Sequence, residues 1–133
     1  MNLGLNNKIA LVCAASQGLG FAVADELAAD GASLVICSRS DAKINKAADA
    51  IRAKYGSDVL AVAGDLSVSA DIERIVAASI AEFGRIDILV TNGGGPPAGN
   101  FDSIDAAAWE TATRVVLTSV LDLTRLVLPG MKE

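Results

Sequence analysis

The chain has 133 residues, of which 52% are hydrophobic and 4% aromatic, and it carries a formal net charge of −5. This length supports one domain with a core of small aliphatic side chains. The acidic balance, without a basic cluster, argues against a nucleic-acid partner or an anionic membrane surface. No apolar run approaches the ~20 residues of a membrane span, and the N-terminus lacks a secretory signal pattern, so we expect a cytoplasmic protein.

The sequence contains no histidine. This absence excludes Ser-His-Asp and Cys-His catalysis and leaves no ligand set for zinc. The two cysteines, Cys13 and Cys37, both fall in apolar strand segments. We expect them to be free and to pack as small hydrophobic residues, because the other features predict a reducing compartment.

Strands and helices alternate along the chain. The predicted strands cover residues 8–13, 33–38, 58–63 and 86–91, and the predicted helices cover 18–30, 41–55, 69–83 and 105–128, with a loop over 92–104. Asp105 is the predicted N-cap of the last helix, which Pro129-Gly130 should end. The residues predicted to face the core are Phe21, Val23, Ala24, Leu27 and Ala28 in the first helix, Ile44, Ala47, Ala48 and Ile51 in the second, and Ile72, Ile75, Val76 and Ile80 in the third.

The element order βαβαβαβα predicts an α/β fold, a Rossmann-type doubly wound parallel sheet with right-handed crossovers and the strand order 3-2-1-4. Ligands of such sheets bind beyond the carboxyl ends of the strands, where the strand order reverses. The residues predicted to bind a ligand there are Ala14, Ser16, Gln17, Gly18, Leu19, Gly20, Ser38, Arg39, Ser40, Asp65, Leu66, Asn92, Gly93 and Gly94.

The turn after the first strand has the pattern of a phosphate site. Small residues lead from Cys13 to Gly18 and Gly20, and an amphipathic helix follows directly. The free N–H groups and the positive end of such a helix attract an anion, and the missing side chains let the anion approach. A glycine-rich turn alone is a weak signal, but its position between a buried strand and a helix strengthens the prediction.

Arg39 follows the second strand, where dinucleotide folds contact the adenosine ribose. An acidic residue there binds the 2′-hydroxyl of NAD, whereas arginine accommodates the 2′-phosphate of NADP. No acid precedes Asp41 in this turn, so the sequence favours NADP(H), with the hydroxyls of Ser38 and Ser40 as further contacts. The alternative is that Arg39 is an ordinary solvated loop residue.

Two further strand ends allow two interpretations each. Asp65 could accept a hydrogen bond from an adenine amino group, with Leu66 against the ring, or could form an Asx turn or helix cap before Ser67. Asn92 and the glycines after it could let the backbone approach the ribose and nicotinamide, or could form an ordinary glycine-rich turn. The sequence leaves both choices open.

Taken together, these segments resemble the cofactor-binding half of the short-chain dehydrogenases/reductases, of the 3-oxoacyl-ACP-reductase-like kind. The resemblance rests on Leu-Val-Cys-Ala-Ala-Ser-Gln-Gly-Leu-Gly at 11–20, Gly-Asp-Leu-Ser at 64–67, Ile-Leu-Val-Thr-Asn-Gly-Gly-Gly at 88–95, and Trp-Glu…Leu-Thr-Arg-Leu-Val-Leu-Pro-Gly-Met at 109–131. It covers nearly all of this chain but only the first half of a typical member.

The sequence departs from the family pattern at several positions. Cys13-Ala14 replaces the Thr-Gly that opens the phosphate loop, Thr-Asn-Gly-Gly at 91–94 replaces Asn-Asn-Ala-Gly, and the helical asparagine of many members aligns with Val116. The catalytic serine and Tyr-x-x-x-Lys of the family lie downstream of this chain. The resemblance therefore implies that residues 1–133 are a single, truncated NADP(H)-binding domain without catalytic residues, and that Tyr55 is only a packing residue at a helix end.

The resemblance implies an oxidoreductase that binds NADP(H), present here as a half that is inactive alone. The alternatives are a non-catalytic nucleotide-binding or assembly module and a folded remnant without ligand. Apolar residues cover roughly 240° of the helix 105–128, counted at 100° per residue, whereas packing on one sheet needs an apolar stripe of only ~100° or somewhat more. We therefore expect a homodimer or larger homo-oligomer through this helix, next to the open edge of the fourth strand.

Overall fold

Four parallel strands form one sheet in a computed structural model that describes residues 1–133. The strands are β1 (Ile9–Val12), β2 (Ser33–Ser38), β3 (Val59–Ala63) and β4 (Ile88–Val90). The order across the sheet is β3-β2-β1-β4, as the sequence predicts. In this register Leu11 of β1 lies between Val35 of β2 and Leu89 of β4. The strand order reverses between β1 and β4, and β4 has no neighbour on its outer side.

Helices cover both faces of the sheet. They are α1 (Gly18–Ala29), α2 (Asp41–Tyr55), α3 (Ser69–Phe83), α4 (Ala106–Thr113) and α5 (Ser119–Met131), with a 3₁₀ turn at Phe101–Ser103 and a π turn at Arg114–Thr118. Successive strand side chains point to opposite faces. Ala10 and Val12 of β1 therefore pack with α1 and α2, whereas Leu11 and the following Cys13 pack with α3 and α5. The result is the three-layer, doubly wound arrangement.

The helix ends follow local sequence signals. Ser40 accepts a hydrogen bond from the Lys43 amide at the start of α2, and Asp105 accepts one from the Ala108 amide at the start of α4. Gly56 and Gly84 follow α2 and α3 with φ of 67° and 81°, the left-handed cap that glycine adopts without strain. These caps confirm the predicted bounds of α2 and α3.

β4 is shorter than predicted, because the pairing ladder with β1 begins only at Ile88. The Ile9 amide donates instead to the Asp87 carboxylate, at 2.8 Å.

The predicted burial of two core residues is wrong, since Val23 is 38% exposed and Ile80 is 44% exposed. α1 contacts the sheet through the small residues Gly20, Ala24 and Ala28, and α3 buries Ser79, whose hydroxyl donates to the Ile75 carbonyl.

The predicted helix 105–128 is interrupted and longer than expected. The π turn at Arg114–Thr118 includes Val116 and separates α4 from α5. Because a π turn holds an additional residue, side chains beyond it are rotated relative to a regular 100° count. The helix also continues through Pro129 to Met131; a proline in the last turn removes only one backbone donor. None of the helices combines the length and apolar character that a bilayer span requires.

Candidate functional site

A cavity of about 730 Å³ lies at the carboxyl ends of the strands, over the point where the strand order reverses. Its volume falls in the range of small-molecule sites, roughly 300–1,000 Å³. All of the predicted binding residues except Gly20 line it: Ala14, Ser16, Gln17, Gly18, Leu19, Ser38, Arg39, Ser40, Asp65, Leu66, Asn92, Gly93 and Gly94. The fold thus brings the four strand ends to one place.

The loop after β1 is held from both neighbouring strands. The Cys13 amide donates to the Val90 carbonyl and the Ala15 amide donates to the Cys37 carbonyl, each at 3.1 Å. Within this loop Ala14 has φ of 49°, in the left-handed region that a Cβ atom disfavours. Gly18 has φ of 62°, which glycine adopts without that strain. The loop therefore carries strain at Ala14, the position at which the short-chain dehydrogenases/reductases, which this sequence resembles, have glycine.

Gly20 lies beneath the cavity and is buried. A Cβ atom at this position would collide with the Ala14 carbonyl oxygen and would lie 2.8 Å from Nδ2 of Asn92. Only glycine therefore lets α1 approach the loop this closely. Gly20 is the one predicted binding residue that does not line the cavity, and it sets the position of the helix start.

The N-terminus of α1 is open to the cavity. Gln17 is the N-cap residue, but its side chain makes no capping hydrogen bond, and no acidic residue lies in the first turn. The Phe21 amide donates to the Gln17 carbonyl at 3.4 Å. The preceding amides of the first turn have no intrahelical acceptor. They can bind an anion, and the positive end of the helix dipole favours one.

Arg39 is an unpaired guanidinium in the cavity wall. Each of the other arginines (Arg52, Arg74, Arg85, Arg114 and Arg125) forms an ion pair with a nearby carboxylate. Arg39 has neither an ion pair nor a side-chain hydrogen bond, and it lies beyond the end of β2. Its donors are therefore free for a ligand.

The two serines beside Arg39 differ in what they can offer. The Ser38 hydroxyl donates to the Ser40 carbonyl, at 3.3 Å, so its proton is already used. The Ser40 oxygen accepts from the Lys43 amide, at 3.2 Å, which leaves its proton free to donate. Of the two predicted hydroxyl contacts, the geometry favours the one from Ser40.

Asp65 forms the Asx turn that was one of its two predicted roles. Its Oδ1 accepts from the Ser67 amide at 2.9 Å and from the Ser67 hydroxyl at 2.7 Å. These hydrogen bonds, together with the positive charge of Arg39, hold the pKa of Asp65 below its ordinary value against the effect of burial. The other carboxylate oxygen, Oδ2, has no protein partner and remains available to a ligand.

Asn92 bridges β4 and the loop after β1. Its Nδ2 lies 3.4 Å from the carbonyl oxygens of both Cys13 and Ala14. The backbone at Gly93 passes close to the π turn after α4, since a Cβ there would lie 3.6 Å from the Val115 carbonyl oxygen. This segment therefore joins the end of β4, the loop after β1 and the π turn at the cavity.

Nine residues of the cavity wall are not among those predicted from the sequence. The additional residues are Lys43, Gly64, Ser67, Gly95, Pro96, Pro97, Thr111, Ala112 and Val115. Lys43 had a local signal, because it lies in the first turn of α2, four residues after Arg39. Thr111, Ala112 and Val115 had none, since the long loop after β4 determines which face of α4 and of the π turn meets the cavity.

The remaining chemically distinctive residues lie outside the cavity. The Tyr55 hydroxyl donates to the Asp25 carboxylate at 2.9 Å, beside an ion pair of Asp25 with Lys54. This contact ties α2 to α1 and confirms that Tyr55 is a packing residue.

Cys13 and Cys37 are free and buried. A hydrogen bond between them and burial both raise the pKa of the Cys13 thiol.

The sequence profile of the family described as "short chain dehydrogenase" matches residues 8–133. The chain is 36% identical over 129 residues to D-beta-hydroxybutyrate dehydrogenase of Cupriavidus necator, covering 97% of this chain and 50% of that protein. Its fold superposes with a TM-score of 0.96 on L-sorbose reductase from Gluconobacter frateurii complexed with NADPH and L-sorbose, at 29% identity over 99% of this chain and 50% of the reductase. A metagenomic short-chain oxidoreductase in complex with NADP gives a TM-score of 0.88 and 33% identity, over 96% of this chain and 57% of that one.

A doubly wound sheet with a cavity at its reversal point defines a nucleotide-binding class of fold. The chain belongs to the short-chain dehydrogenase family. It spans about half the length of the curated relatives that it matches.

Proposed function

We propose that residues 1–133 bind NADP(H) in this cavity, as a single dinucleotide-binding domain of a short-chain dehydrogenase-type oxidoreductase. The main support for this proposal is Arg39, whose guanidinium lies in the cavity wall without a protein partner. The end of β2, where Arg39 lies, has no acidic residue. A free guanidinium suits a phosphate, with which it can form a forked, charge-assisted contact. Similar proteins complexed with NADPH and NADP support the same cofactor.

The cofactor would lie across the ends of all four strands. The open amides at the start of α1 would hold the pyrophosphate, and Arg39 with the Ser40 hydroxyl would hold the 2′-phosphate. Asp65 would accept from the adenine amino group through its free Oδ2, with Leu66 against the ring. Asn92, Gly93 and Gly94 would border the nicotinamide ribose, with Ala14, Ser16, Gln17, Leu19 and Ser38 completing the wall.

The test compares the affinities of NADPH and NADH in the unmutated protein and in Arg39→Ala. A desolvated charge-assisted contact contributes roughly 1.5–3 kcal/mol, or about 10–150-fold in affinity. We expect NADPH to bind more tightly by a factor in this range, and Arg39→Ala to remove the preference with little change for NADH. Arg125→Ala, which removes an exposed arginine of α5, is the matched control. Equal affinities in the unmutated protein would contradict the proposal.

We infer that residues 1–133 bind the cofactor without catalysing hydride transfer at a rate typical of the family. Reduction of a carbonyl needs a proton donor at the substrate. The single tyrosine is committed to Asp25, away from the cavity. NADPH consumption with a panel of ketones and aldehydes is the assay, and sustained turnover above a protein-free blank would refute the inference.

A second candidate is a non-catalytic nucleotide-binding or assembly module, and a third is a folded remnant without ligand. Binding of NADPH without turnover, in this chain and in any longer chain that contains it, would favour the module. Absence of binding would favour the remnant.

We propose that the protein assembles as a homodimer or larger homo-oligomer through the segment 105–128. Large side chains on this segment are 50–55% exposed, namely Trp109, Val116, Leu117 and Leu121. The outer edge of β4 is also unpaired, and soluble chains usually cover exposed apolar patches and open strand edges. We also propose a cytoplasmic location, since two neighbouring thiols in the core remain reduced in this fold.

A further inference from the structure

Lys43 is a second free cation in the same part of the cavity wall as Arg39. It lies in the first turn of α2, and its side chain makes no ion pair or hydrogen bond in the structure. Of the lysines, only Lys54 forms an ion pair, with Asp25, and only Lys43 lines the cavity. Lys43 therefore offers an ammonium group to whatever occupies this end of the cavity.

The charges of the cavity wall come from three residues only, Arg39, Lys43 and Asp65. Arg39 and Asp65 are close enough that the guanidinium stabilises the carboxylate. Their charges sum to zero, so Arg39 alone does not make this end of the cavity positive. With Lys43 the sum is +1. Because a phosphate monoester carries close to two negative charges at neutral pH, Lys43 decides whether the local field favours it.

We infer that Lys43 is a specificity-determining residue, a second cationic ligand for the 2′-phosphate, and that it offsets the charge of Asp65. This inference rests on the proposed binding of NADP(H). The backbone supports the placement: Ser40, which lies between Arg39 and Lys43, caps the Lys43 amide and keeps the first turn of α2 beside the cavity. Asp41 carries the opposite charge in this turn but does not line the cavity.

The test measures the dissociation constants of NADPH and NADH at low and high salt. The variants are Lys43→Gln, Lys43→Arg, and the double variant Lys43→Gln with Asp65→Asn. The asparagine keeps the Oδ1 that accepts from Ser67, so it removes charge while preserving the turn. It also replaces the Oδ2 acceptor proposed for the adenine amino group by an amide donor. NADPH and NADH share that loss, so the ratio of their affinities is the measure for this variant. Lys46→Gln is the matched control, because Lys46 is exposed on the same helix and does not line the cavity.

We expect Lys43→Gln to reduce the affinity for NADPH by about 5- to 30-fold, the range for a charge-assisted contact partly in water. The affinity for NADH should change by less than about twofold. Lys43→Arg should retain the NADPH preference, the double variant should recover most of it, and Lys46→Gln should leave it unchanged. The advantage of the unmutated protein over Lys43→Gln should shrink at high salt.

The outcomes separate this inference from the proposed function. If the unmutated protein prefers NADPH and Lys43→Gln keeps that preference, the role of Lys43 is wrong and the proposed function stands. If Lys46→Gln weakens NADPH as much as Lys43→Gln does, the effect is a general charge effect and the role of Lys43 is also wrong. If the unmutated protein binds neither dinucleotide, or both equally, the two proposals fail together. Circular dichroism of each variant verifies that the fold is unchanged.

Discussion

The Asn92 amide lies against the Ala14 carbonyl, with Nδ2 3.4 Å from the oxygen. This contact joins the end of β4 to the loop after β1, across the line where the strand order reverses. Gly20 lies directly below it, so the start of α1, the loop and β4 meet in one tightly packed place. The shape of the phosphate end of the cavity depends on this packing.

Gly20→Ala should therefore destabilise the protein, although alanine favours a helix. The added methyl would collide with the Ala14 carbonyl, which as backbone cannot move freely. Overpacking of this kind costs about 1–3 kcal/mol. Gly130→Ala is the control, because a Cβ on that helical glycine meets nothing within 4 Å. Urea denaturation gives both values, and an equal or higher stability of Gly20→Ala would contradict the predicted collision.

Ala14→Gly should be neutral or stabilising, although glycine usually loosens a chain. Removing the Cβ relieves the left-handed strain, about 1–2 kcal/mol, against roughly 0.5–1 kcal/mol of added unfolded-state entropy. The net gain is then between zero and about 1.5 kcal/mol. Gly18→Ala is the reciprocal control, because it introduces a Cβ at φ of 62° with open space around it. That variant should lose about 1 kcal/mol. In thermal unfolding, the two variants should therefore change the stability in opposite directions. A lower stability of Ala14→Gly than of the unmutated protein would contradict the strain at Ala14.

Acid should weaken the fold in part through Asp87. Burial raises its pKa, but hydrogen bonds from the Ile9 amide and Arg85 outweigh burial and hold the pKa below its ordinary value of 3.8. A carboxylate with a lowered folded-state pKa contributes stability above its unfolded pKa. That contribution is lost as the pH falls from about 5 through the folded-state value.

Asp87→Ala should lose about 1.5–3 kcal/mol at neutral pH, the contribution of a charge-assisted hydrogen bond. Asp87→Asn should lose less, because it keeps an acceptor for the Ile9 amide. Both variants should show a smaller drop in unfolding free energy between pH 5 and 3 than the unmutated protein. Asp102→Asn, at an exposed aspartate without a side-chain hydrogen bond, should leave the drop unchanged. A drop as large in Asp87→Asn as in the unmutated protein would disprove the linkage.

Leu121→Glu should dissociate the proposed oligomer or make the protein insoluble. Leu121 is 50% exposed on α5, and a carboxylate there would be desolvated in an interface. Val23→Glu places the same charge at a residue 38% exposed on α1, on the opposite face of the sheet, and should leave assembly intact. Sedimentation and light scattering measure both. A stable, soluble monomer of the unmutated protein at tens of micromolar would contradict the proposed assembly.

The elements, their order and the strand topology could be predicted from local patterns in the sequence. Alternating apolar periodicities and terminal glycines are local signals, so the bounds of α2 and α3 could be read directly. Parallel connections are almost always right-handed, and that rule turned the element order into a strand order. The same reasoning brought the four strand ends together, which is why the predicted residues lie at one cavity, apart from the buried Gly20.

Which polar side chains are free to bind a ligand, and which already form hydrogen bonds within the protein, depends on the tertiary fold. That Arg39 has no partner, and that the Ser38 proton is used, depends on neighbours that no local pattern specifies. The π turn at Arg114–Thr118 changed the orientation of the last helix, because an additional residue in one turn breaks a regular count. Contacts such as Asn92 with Ala14 join residues far apart in the chain, and their geometry exists only after the sheet has formed.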